Sequence, residues 1–191
     1  MSHPLEQFYE EHRAISAVLH AMQYMVRQHR ERGASLDPKV LRAILYYLDV
    51  FPEREHHPKE EVFLFKKLRE RTGEADDVLD ELAREHDRGI DAIRTLEQDL
   101  VRYEGGGEAE FPAFGAAVDR FVDRYWAHMR KEEHEVMPLA RKHLTAEDWK
   151  SIESGFAERK DPLAGADALD FRALFSRIVN MAPPPIGLGA G

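Results

Sequence analysis

The chain has 191 residues, 43% of them hydrophobic and 33% charged, which suits one well-solvated domain with a sizeable core, or one domain with an appendage. A formal charge of −9 argues against a basic nucleic-acid footprint, and no apolar run approaches the roughly 20 residues of a membrane span. Cysteine is absent, which removes disulfides, thiolate catalysis, iron–sulfur ligation and CxxC zinc sites together, whereas histidine occurs ten times. Met1-Ser2-His3-Pro4-Leu5-Glu6 does not read as a signal peptide, so a cytoplasmic monomer or homodimer is expected.

Gly33-Ala34-Ser35, Thr72-Gly73 and Gly105-Gly106-Gly107 divide the first part of the chain into four segments, each with helical periodicity. The first carries Leu5, Phe8, His12, Ile15, Leu19, Met22 and Val26 at steps of three and four. The second opens on Asp37-Pro38, an N-cap followed by proline at the first helical position, and its seam runs Leu41, Leu45, Leu48, Pro52, His56, Glu60, Phe63. The third carries Leu79, Leu82, His86, Gly89 or Ile90, Ile93, Leu96 and Leu100. The fourth carries Phe114, Val118, Phe121, Tyr125, His128, Glu132, Val136 and Leu139. Amphipathic helices of about 25 to 35 residues joined by short connections predict an all-α fold, an up-down-up-down four-helix bundle over 1–143. The remainder, 144–191, reads as a helical extension: Thr145-Ala146-Glu147-Asp148 is a capping box opening a short helix. A last helix on Leu169, Phe171, Leu174, Phe175, Ile178 and Val179 and a proline- and glycine-rich tail follow, packed on the bundle.

Each seam holds a histidine where an aliphatic residue is expected, and in two a glutamate follows one turn later: His56 with Glu60, His128 with Glu132. One such pair is an ordinary i,i+4 contact, but these positions continue core stripes, where a lone carboxylate is costly unless paired or metal-bound. Counting residues to the connecting loops places His12, His56, His86 and His128 at heights differing by about one helical turn or less. The halves also match locally: His56-His57-Pro58-Lys59-Glu60-Glu61 with His128-Met129-Arg130-Lys131-Glu132-Glu133, and Glu11-His12 with Glu85-His86. A pseudo-twofold layer of this kind suits two metal ions, with two imidazoles each and both carboxylates bridging. Imidazole and carboxylate without thiolate favour iron, with manganese or zinc as substitutes. His57–Glu61 is a competing register, and the match of Met129 to His57 favours His56–Glu60.

The ordered pattern of His12, His56-xxx-Glu60, His86 and His128-xxx-Glu132, over roughly residues 5 to 142, resembles the hemerythrin-like family, or HHE cation-binding domain. The resemblance implies a non-haem di-iron site, bridged by an oxo or hydroxo group, in which His12 and His56 hold one iron, His86 and His128 the other, and Glu60 and Glu132 bridge. It further implies a small diatomic molecule or peroxide as ligand, with oxygen, peroxide or nitric oxide chemistry or, alternatively, an iron-sensing module. Oxygen-carrying hemerythrins place a second histidine on the third helix where this chain has Ile90, and bridge through HxxxxD rather than HxxxE. Reversible oxygen carriage is therefore not the expected role. A structural adaptor without metal is a third reading of the helices.

Overall fold

A computed structural model describes residues 4–158, and every element among them is helical. Helix α1 (Pro4–Arg32) buries the stripe read from its periodicity, including Leu5, Phe8, His12, Ile15, Leu19, Met22 and Val26. It stops at Gly33, whose φ of 64° is left-handed; the Gly33 and Ala34 N–H groups donate back to the carbonyls of His29 and Gln28, so the last turn leaves few orphan acceptors.

Helix α2 (38–71) begins at the Asp37 cap, where Asp37 Oδ1 accepts from the Lys39 N–H at 2.9 Å. Its middle is not regular α-helix: Asp49–His56 and Glu60–Phe65 are π-helical turns, in which the His57 N–H donates to the Pro52 carbonyl and the Lys66 N–H to that of Glu61. Pro52 and Pro58 explain this. A proline lacks a donor and its ring crowds the carbonyl four residues earlier, and a wider turn accommodates both defects without ending the helix.

The third segment reads in sequence as one helix and is two. Asp76–His86 and Gly89–Gly106 form α3 with a turn at Asp87-Arg88, so His86 is the last residue before the break. Helix α4 (111–143) repeats the irregularity of α2, with a π-helical turn at Glu132–Val136 directly before Pro138. The capping box forms reciprocally: the Thr145 N–H donates to Asp148 Oδ2 and the Asp148 N–H to Thr145 Oγ1, opening α5 (Ala146–Glu158). Asp148 also takes two hydrogen bonds from Arg71, at 2.7 and 2.9 Å, tying α5 to the end of α2. The expected helix from Leu169 to Val179 and the tail lie outside the described residues.

Helix α1 packs against α2 and α4, α3 packs against the same two, and α5 lies on α1 and α2. Apolar side chains form two separate clusters. One contains Ile15, Leu19, Leu41, Leu48, Ile93, Phe114 and Met129; the other contains Leu5, Phe8, Leu64, Leu82, Val136 and Ile152. On α1, α2 and α3 the histidine of the seam falls between the two clusters, and on α4 His128 lies beside Met129, the last member of the first. No described helix is long and apolar enough to cross a membrane.

Candidate metal centre

The four seam histidines and two glutamates meet in the layer between the clusters. His12, His56, Glu60 and Glu132 bring ligand atoms within 4.8 Å of one another, and so do Glu60, His86, His128 and Glu132. The His12 and His56 Nε2 atoms face each other at 3.1 Å, and those of His86 and His128 do so at 3.1 Å. Glu60 and Glu132 are 0% exposed. Each divides its oxygens between the two imidazole pairs. Glu60 Oε1 faces His56 at 3.4 Å and Oε2 faces His86 at 3.7 Å. Glu132 Oε2 faces His12 at 3.3 Å and Oε1 faces His128 at 3.1 Å.

The far nitrogens are held from behind. His12 Nδ1 lies 2.9 Å from Glu133 Oε1, His56 Nδ1 2.7 Å from Glu11 Oε2, His86 Nδ1 2.7 Å from Glu61 Oε1, and His128 Nδ1 2.7 Å from Glu85 Oε2. A carboxylate accepts only, so each Nδ1 carries the proton and donates it, and each Nε2 lone pair points inward. Lys59 Nζ in turn lies 3.4 Å from Glu11, and Lys131 Nζ 2.6 Å from Glu85. These supporting residues obey the pseudo-twofold relation: the chain neighbours of His12, Glu60, His86 and Glu132 each serve a ring on another helix. Sequence reasoning did not assign them, although the signal was present in the matched Glu11-His12 and Glu85-His86 pairs and in the repeated Lys-Glu-Glu triplets.

Facing lone pairs at such separations repel unless a cation lies between them. All four oxygens of Glu60 and Glu132 are buried without a hydrogen-bond partner among the described residues. A buried carboxylate left in that state is strongly destabilising, so both the donor types and the orphaned atoms fit metal ions. Without metal, protons take that place. Burial alone would lower the imidazoles and raise Glu132, but mutual attraction wins: it lifts His12 well above its ordinary value, His86 to about 9 and His128 to about 10, and holds Glu132 well down. Burial would likewise raise Glu11, yet its bond to His56 holds it at about 2. The bond to His128 also sets Glu85 at about 2.

His57 is a feature the sequence left open. It is buried, stacks on His86 with ring centroids 4.1 Å apart, and offers a nitrogen within 4.8 Å of ligand atoms on His86 and His128. Its Nδ1 lies 3.2 Å from Glu53 Oε2, and the Tyr125 hydroxyl donates to Glu53 Oε1 at 2.8 Å. Burial and the neighbouring histidines push His57 well below its ordinary value, so its ring is neutral. Glu61, the other member of the competing register, sits behind His86 rather than between the rings. Gly89 does not face open space: a Cβ there would overlap the Glu53 carboxylate. His20 and His134 are exposed, His29 and His143 are largely covered, and all four stand apart from the layer; His3 lies outside the described residues.

The family model of the hemerythrin HHE cation binding domain matches residues 3–140, a span that contains all six residues of the layer. Nothing matches among curated proteins or among solved structures.

Proposed function

This chain belongs to the hemerythrin HHE cation-binding family, and on that premise we propose that its layer holds two non-haem iron ions and reacts with a small oxidant such as oxygen, peroxide or nitric oxide. The observation that carries the reading is the set of four carboxylate oxygens with no hydrogen-bond partner among the described residues, one from each glutamate turned toward each imidazole pair. His12 and His56 would hold one ion and His86 and His128 the other, through Nε2, with Glu60 and Glu132 bridging. Two irons so placed would supply Lewis acidity and electrons; manganese or zinc would fit the same donors but not the redox role. Glu11, Glu61, Glu85 and Glu133 fix the ring tautomers and orientations. The apolar clusters above and below exclude water, which strengthens every charge interaction in the layer.

The helices run alternately from one cluster to the other, in support of an up-down-up-down bundle. A soluble cytoplasmic setting, as monomer or homodimer, accords with the charge. Elemental analysis of protein produced with iron tests the reading: about two irons per chain are expected, in line with a paired site. Glu60→Ala with Glu132→Ala should fall well below that. Full iron in the double variant would overturn the bridging roles.

A further inference from the structure

The two halves of the layer are related by sequence but differ in the residues packed beside them. Three and six residues after His12, α1 carries Ile15 and Val18, both 0% exposed. At the same offsets from His86, α3 carries Gly89 and Ala92. Beside Ala92 a cavity of about 230 Å³ opens, reaching inward to His57, Tyr125 and His128, while the Glu53 carboxylate occupies the space over Gly89. Ala92 and Phe121 form its wall, and Arg88 and Arg124 its rim. Glu53 and Glu85 also line it, but both are engaged: Glu53 with Tyr125 and His57, Glu85 with His128 and Lys131. Arg88 and Arg124 are exposed and form no ion pair among the described residues, unlike Arg30, Arg42, Arg54 and Arg69. An adjoining groove adds Arg120 beside the same two arginines, together with Asp91 and Asp99, which pair with Arg94 and Arg102. At the mouth of a cleft in an otherwise acidic protein, unpaired cations concentrate anions.

Resting on the reading of the layer as a metal centre, we propose that exogenous ligand reaches it from one side only, through this cavity to the His86–His128 half, and that Arg88 and Arg124 make the route selective for small anions. His57 and His128 both line the cavity, and His57 also borders the His86–His128 pair.

Azide is the probe. Its binding to oxidised, iron-loaded protein is followed by the absorption band it produces, with iron content measured on every sample. Ala92→Phe should slow azide association at least about tenfold by filling the cavity, with iron content unchanged; Ala92→Val, which copies Val18, should slow it less and serves if the larger residue prevents folding. Arg88→Ala with Arg124→Ala should slow azide by about threefold at low salt, with the difference vanishing at high salt. Binding of neutral nitric oxide to the reduced protein should be slowed by Ala92→Phe and not by the arginine pair. Iron-loaded Ala92 variants that bind azide at the wild-type rate overturn the route, and an arginine effect equal for azide and nitric oxide overturns the charge selectivity. Wild-type protein that takes up no metal overturns the centre, and this inference with it.

Discussion

Each ring of the layer works only because a carboxylate behind it fixes the proton on Nδ1. Removing Glu11 or Glu85 leaves the donor atoms in place but frees the His56 or His128 ring to rotate and change tautomer. Glu11→Ala or Glu85→Ala should therefore weaken iron affinity about 10- to 100-fold while the fold persists, measured by competition with a chelator. His57 differs in kind from His56: its Nδ1 answers to Glu53, and its partner in the other half is Met129, so His57→Ala should cost less iron than His56→Ala. The reverse order would mean that the His57 register holds the metal. Gly89 gives a packing test. A methyl group there must displace the Glu53 carboxylate, which strips Tyr125 of its acceptor in a buried site. Gly89→Ala should lose about 1–3 kcal/mol in urea unfolding, and no loss would mean that Glu53 relocates without cost.

At the scale of elements, the long segments, the Asp37 and Thr145 caps and the meeting of His12, His56, His86 and His128 could all be read from periodicity and loop counting, because burial imposes the 3.6-residue repeat on side-chain type. Two features could not. The π-helical turns after Leu48, Lys59 and Lys131 insert extra backbone without changing the apolar count, and only Pro52, Pro58 and Pro138 hinted at irregularity. The break after His86 was hidden because Leu82, His86 and Ile93 keep a passable helical spacing across it. The carboxylates behind the rings left a trace in the matched Glu11-His12 and Glu85-His86 pairs, but Glu11 and Glu85 sit off the seams and look like solvated charge until the facing helix is in place. The arginine-rimmed cavity opens beside Ala92, a small residue whose meaning appears only beside Val18.

For the whole molecule, an apolar core interrupted by a charged layer ties stability to what fills that layer. In metal-free protein His12, His86 and His128 have raised values, so the stability they add is complete below the free imidazole value of about 6.5 and is lost as pH rises through about 9 to 10. Metal requires neutral rings and gains over the same interval. The melting temperature difference between iron-loaded and metal-free protein should therefore widen between pH 6.5 and 9 and close in acid, where protons displace metal; a difference that narrows as pH rises would contradict this. Calorimetry in buffers of differing ionisation enthalpy should show protons released as the layer fills, because the rings held protonated in metal-free protein must be neutral to bind metal. The most direct measurement is anomalous diffraction at the iron edge from crystals of the loaded protein. It should show two peaks, one between His12 and His56 and one between His86 and His128, with an oxygen of Glu60 and of Glu132 on each. A single peak, or iron bound outside this layer, would contradict the account.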